Sequence, residues 1–175
     1  MVHIARETQN VTMSTALKTR TYEYLAPFTD FASVAKLDGL EVMRRVMRRE
    51  IPPPPITATL GFDLVEVERG RAVFAGTTAE WQYNPLATVH GGWSATLLDS
   101  ALGCAVHSTL GPGEMYTTLD LQVRFLRPVL STSGIVRAEA NTVHTGKRIA
   151  TAEARLVGAD GTLFATATAS CLVMR

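Results

Sequence analysis

Residues 83–103, YNPLATVHGGWSATLLDSALG, bring Asn84, His90, Gly91, Gly92 and Asp99 together in one short stretch. Two glycines at the entrance to a helix leave backbone N–H groups open to a ligand. With the positive end of the helix dipole behind them, those groups favour negative charge, and the oxyanion formed from a thioester carbonyl is one fitting guest. Asp99 is the only carboxylate in the apolar run 93–110. A carboxylate there is costly unless it is paired or used, which makes it a candidate general base or nucleophile.

The spacing carries a further inference. Asp99 follows Gly91 by eight residues, so on one helix they lie roughly 12 Å apart along the axis. An oxyanion donor and a base must both approach one carbonyl to about 3 Å. One helix does not bring them together, whereas two antiparallel copies from two subunits could, giving at least a dimer of isologous symmetry. Taken singly, each piece has a plainer account. His90 could cap or pack, Asp99 could make a structural hydrogen bond, and Asn84-Pro85 is a turn signal. Order and spacing together are more specific than any member.

The elements that must position these residues are legible in outline. Residues 93–110 read as a buried helix, apolar on several sides, with Ala95, Ala101, Gly103 and Ala105 allowing close approach; Gly111-Pro112-Gly113 ends it. Before it, Val65 and Val67 alternate with Glu66 and Glu68 as in a half-buried strand, with a late start or a bulge near Leu64, and Gly70 turns the chain into a second strand at 71–77. After it come four β-rich runs, 116–125, 134–144, 148–157 and 163–173, the last pair joined by an Asp160-Gly161 hairpin signal. One buried helix against an antiparallel sheet is an α+β layout.

Ahead of this main domain (57–175), residues 1–22 read as a flexible leader and 23–56 as a helix followed by a spacer. The helix is predicted over 29–50, capped by Asp30, with Arg44, Arg45, Arg48 and Arg49 forming a solvated face near its end. The prolines 52–55 cannot be helical and should hold the chain extended.

Composition narrows the function classes. The 175 residues are 46% hydrophobic and 19% charged, with a net charge of +1. That balance speaks against nucleic acid or an anionic membrane as partner. Cys104 and Cys171 make no disulfide framework and no metal site, since Cys104 and His107 alone do not hold zinc. There is no apolar N-terminal run and no membrane-length span, so a cytoplasmic location is expected.

Asn84-Pro85, then His90-Gly91-Gly92, then Asp99 deep in the next helix closely resembles the PaaI-type branch of hotdog-fold thioesterases, related to the 4-hydroxybenzoyl-CoA thioesterases. The likeness runs from the proline run and Leu60-Gly61-Phe62 to the strand ending at Val173. It implies a hotdog fold, a long central helix wrapped by a curved antiparallel sheet, here with an extra N-terminal helix. It implies hydrolysis of an aryl or medium-chain acyl-CoA by a homo-oligomer, a dimer at least and a tetramer by expectation. No cofactor is implied beyond the coenzyme A of the substrate. Asp99 would activate water or attack the carbonyl, Gly91 would donate its N–H to the carbonyl oxygen, and His90 and Asn84 would orient thioester and water from the facing subunit. Thr117, preferred over Thr118, would assist from the next strand. Arg127, Lys147 and Arg148 would meet the CoA phosphates, although such residues are also everyday surface cations. Arg124 departs from the neutral polar residue that relatives often carry. Trp81, Tyr83 and Trp93 suit either a bulky acyl group or core packing. The alternative is an acyl-CoA-binding module without turnover; the costly carboxylate favours the enzyme.

Overall fold

The computed structural model describes residues 16–175. Six strands form one antiparallel sheet: β1 (Phe62–Glu68), β2 (Arg71–Thr77), β3 (Met115–Phe125), β4 (Ile135–Thr145), β5 (Ile149–Gly158) and β6 (Leu163–Met174). Their order is β1-β2-β4-β5-β6-β3, which leaves β1 and β3 as the free edges. The long helix α4 (Gly91–His107) lies against the inner face and follows three shorter helices, α1 (Phe31–Val34), α2 (Gly39–Met47) and α3 (Pro55–Leu60).

The core is a helix of leucines set into a sheet of alanines. Leu97, Leu98, Ala101, Leu102, Ala105 and Val106 of α4 are completely buried. The strands meet them with Ala138, Ala140, Ala150, Ala152, Ala154, Ala167 and Ala169. Small side chains on the sheet let the helix sink close, and each buried leucine stabilises by roughly 1.5–3 kcal/mol. Gly103 is required at one such approach, because a Cβ there would stand 2.6 Å from the Tyr116 hydroxyl.

The predicted bulge near Leu64 is present, between Leu64 and Glu66. It turns Phe62, Leu64 and Val67 inward and leaves Val65 40% exposed, so Val65 does not share the buried face with Val67. The hairpin at Asp160-Gly161 is also found, with Asp160 Oδ1 accepting the Thr162 N–H at 2.9 Å and Gly161 at φ 82°.

The N-terminal region departs most from expectation. The single helix predicted over 29–50 is two, α1 and α2. Asp30 caps the first as expected, and Asp38 caps the second by accepting the Glu41 N–H at 2.8 Å. Gly39 is pressed onto the last turn of α4, where a Cβ would lie 1.8 Å from His107 O. That contact redirects the chain and breaks the helix. Pro55 is the first residue of α3 rather than part of an extended spacer; its fixed φ and missing N–H suit the first helical position. The arginine run is a paired surface, with Arg45 on Glu41 at 3.0 Å, Arg48 on Glu50 at 2.6 Å and Arg49 on Asp63 at 2.6 Å. Most of the leader, residues 1–15, lies outside the described residues. Within its remainder, Arg20 stacks on Trp81 at 3.9 Å and donates to Thr59 O at 2.9 Å. Among the described residues no helix is long and apolar enough to cross a membrane.

Candidate active site

The entrance to α4 is held by its preceding loop. Asn84 Oδ1 accepts the N–H groups of Leu86 at 2.9 Å and Thr88 at 3.2 Å, while its amide nitrogen donates to Thr88 Oγ1 at 2.8 Å. Tyr83 and Val89 bridge across this loop, and Val89 N–H donates to Val129 O at 2.8 Å. Asn84 therefore acts on its own backbone here, fixing the approach to the glycines. His90 N–H is anchored on Gln82 O at 2.7 Å, and His90 Nδ1 accepts the Gly92 N–H at 2.8 Å as the helix cap. An accepting Nδ1 places the proton of the neutral ring on Nε2, which remains a donor. Gly91, one residue earlier than the capped amide, donates its N–H to no protein acceptor among the described residues. The Phe125 ring covers its Cα so closely that a Cβ would stand 2.9 Å from Cζ.

Asp99 sits in the middle of α4, half-buried, and accepts a hydrogen bond from Thr118 Oγ1 at 3.1 Å. The preferred Thr117 is exposed on the opposite side of β3, so Thr118 is the hydroxyl that reaches Asp99 within the chain. Asp99, Thr118, Cys104, His107 and Tyr116 all face one cavity of about 780 Å³. Its remaining walls come largely from α1, α2 and the prolines. Burial pushes the Cys104 thiol up to about 12, holds His107 below the ordinary imidazole value and raises the Tyr116 phenol well above its own. Asn84, His90, Gly91 and Gly92 line none of it. In one chain, then, the free amide and the carboxylate open onto different spaces, in keeping with their separation along the helix.

Comparison with known proteins decides the family. A model of the thioesterase superfamily matches residues 86–165, which contain Gly91, Asp99 and Thr118. The 1,4-dihydroxy-2-naphthoyl-CoA hydrolase of Listeria monocytogenes is 30% identical over 89 residues, covering 51% of this chain and 71% of the relative. The chain belongs to the thioesterase superfamily. Among solved structures, a phenylacetic acid degradation-related protein of Ralstonia eutropha superposes with a TM-score of 0.67 at 32% identity, over 74% of this chain and 98% of that one. The Escherichia coli PaaI protein shares the fold, with a TM-score of 0.68 at 22% identity, over 78% of this chain and 94% of that one. The hotdog architecture and the assignment as a thioester hydrolase stand on these likenesses.

The cations suggested for coenzyme A in this thioesterase do not come together in one chain. Arg127, two residues past β3, lies beside the start of β6, its N–H on Phe164 O at 3.1 Å and its guanidinium on Leu163 O at 2.9 Å. Lys147 and Arg148 lie at the other end, where Arg148 O accepts the Val173 N–H at 2.8 Å. The strand between Phe164 and Val173 spans roughly 30 Å. Arg124 is on the outer face of the sheet, in a polar groove with Gln122, Glu139, Glu153 and Arg155. Trp81, Tyr83 and Trp93 line no part of the cavity. Trp93 is buried with its indole N–H on Leu60 O at 2.8 Å, and Tyr83 donates to Ser131 at 2.6 Å. The residues that sequence reasoning missed are the cavity's far wall, Val42, Met43 and Val46 of α2, together with His107 and Tyr116. The one available signal was that Asp99, Cys104 and His107 recur along one side of α4.

Proposed function

We propose that this thioesterase hydrolyses an acyl-CoA, aryl or medium-chain in its acyl group, to the free acid and coenzyme A, in sites shared between two copies of the chain. The observation that carries the reading is the unspent Gly91 N–H at the tip of α4, beside a helix cap that occupies the next amide. Asp99 takes a proton from water as the oxygen attacks the thioester carbonyl carbon, or attacks that carbon itself to form a mixed anhydride that water then cleaves to the free acid and the regenerated carboxylate. The developing oxyanion accepts the Gly91 N–H, His90 Nε2–H orients the thioester, and the C–S bond breaks as the thiolate of coenzyme A leaves and gains a proton. Thr118 holds the Asp99 carboxylate in place; Asn84 holds the loop.

Two features support sharing between copies. The β3 edge is free, with Met115, Leu119 and Phe125 each at least half exposed. Antiparallel pairing of two such edges would set Phe125, which covers Gly91, beside the Thr117-Thr118 end of the other copy. The basic residues divide the same way: Arg127 neighbours the Gly91 end, while Lys147 and Arg148 neighbour the Asp99 end. A shared site would reunite all three around one CoA. Two free cysteines fit the reducing cytoplasm in which we place the enzyme.

Thiol release from a panel of aroyl- and alkanoyl-CoA esters tests the reading. Asp99→Asn should lower turnover by ~10²–10⁴-fold across the whole panel, with oligomeric state and Tm retained. Binding without release by the native chain would favour the non-catalytic module instead.

A further inference from the structure

Helices α2 and α4 touch at one end and part toward the other. Where they touch, Gly39 N–H donates to Leu110 O at 3.0 Å, and no side chain fits between Gly39 and His107 O. Beyond that point the 780 Å³ cavity fills the gap, a size in the range of small-molecule sites. Val42, Met43 and Val46 line it from α2, and Asp99, Cys104 and His107 from α4. Asp99 and His107 are eight residues apart, so the carboxylate and the closed end are separated by roughly 12 Å along the helix, the length of an extended acyl chain of about eight to ten carbons.

We infer that this chamber receives a straight apolar acyl chain of medium length, its carbonyl at Asp99 and its methyl end toward His107, and that α2 sets the length accepted. The inference rests on the acyl-CoA hydrolysis proposed above. Most of the lining is aliphatic, aromatic or proline side chains, with Arg49, Asp63 and Glu114 as further charged members, which suits a largely uncharged chain. Burial holds His107 below the ordinary imidazole value, Arg49 is paired with Asp63 at 2.6 Å, and Glu114 stands near the His107 end on Gly111 N–H at 2.8 Å, a lining that does not favour a distal carboxylate. A compact aroyl group would occupy the Asp99 end and leave the stretch toward His107 unfilled, forgoing the apolar contact that a chain makes there.

Steady-state thiol release from straight-chain CoA esters, butyryl to palmitoyl, alongside benzoyl-CoA, tests this. In the native enzyme kcat/KM should rise about fourfold for each added methylene and level off at about eight to ten carbons. Val42→Trp and Val46→Trp, at half-buried positions of α2, should each lower the decanoyl-to-butyryl ratio of kcat/KM by at least about tenfold and move the optimum to shorter chains. Tm measured on the same samples identifies a variant that fails to fold, in which case the other variant decides. A native preference for benzoyl over decanoyl, or a length profile that neither folded variant alters, overturns the chamber while leaving hydrolysis intact. Release from no ester in the panel overturns the hydrolysis itself and the chamber with it. Asp99→Asn separates the two further, because it should depress every ester without shifting the optimum.

Discussion

The first turn of α4 and its middle are made from opposite materials. At the first turn the useful group is a backbone amide, held in place by polar bonds through Asn84, His90 and Gln82 and left open by a residue without a side chain. In the middle it is a side-chain carboxylate, Asp99, on a helix whose neighbours Leu97, Leu98, Ala101 and Leu102 are fully buried. One region takes its precision from hydrogen bonds near solvent and the other from packing. Substitution therefore reaches them differently: a side-chain change erases the carboxylate directly, whereas only proline removes the amide.

The most forceful way to break this comparison is to separate the two groups between subunits. Mixing Asp99→Asn with Gly91→Pro and allowing subunits to exchange should restore about a quarter of native turnover from two nearly inactive parents, because half of the dimers would be hybrids and each would contain one intact site. Activity no greater than that of the parents would place both groups in a self-contained site and refute the sharing.

Gly91→Pro itself sharpens the amide's part. Proline suits the first helical position, and His90 already has the extended ψ of 132° that a residue before proline needs. Gly91→Ala controls for displacement of the Phe125 ring, which any Cβ would cause. The proline variant should fall about 10²–10³-fold below the alanine variant in kcat, measured at saturating substrate.

A smaller effect distinguishes the two threonines. Thr118→Val removes the bond to Asp99 and should cost roughly tenfold in kcat/KM, with Thr117→Val near native. The reverse ranking would mean that the exposed hydroxyl works in the assembled site.

The mildest effect concerns pH. Burial holds the His107 imidazole below its ordinary value, so just below about pH 6.5 the unfolded chain binds a proton that the folded chain does not. Its linkage makes stability level above that pH and falling below it. Tm should therefore decline between pH 7.5 and about 5.5 in the native protein and less steeply in His107→Phe. Equal slopes would assign the decline to other groups.

What the sequence revealed follows from how local each determinant is. The β5–β6 hairpin was legible because Asp160-Gly161 specifies its own turn, and the buried helix because its apolar residues run all round it. Asp99 and the glycines were legible because a lone carboxylate and paired glycines stand out against that background. The break between α1 and α2 was not, since it depends on a contact between Gly39 and His107 far along the chain. The choice between Thr117 and Thr118 was not legible, because which hydroxyl faces Asp99 depends on where β3 meets the helix, next to the irregularity between Thr118 and Asp120. The cavity was invisible for the same reason: its two walls are separated in sequence by β1, β2 and the loop that follows.

The stretch matched by the superfamily, residues 86–165, holds the amide tip, the carboxylate and the basic residues, whereas Val42, Met43, Val46 and the prolines all precede it. With the proposed site and the inferred chamber, reaction and selection would be written in different parts of the gene. A descendant could change its diet by altering the opening segment while inheriting its chemistry untouched, and an engineer could graft another opening onto the same reactive body.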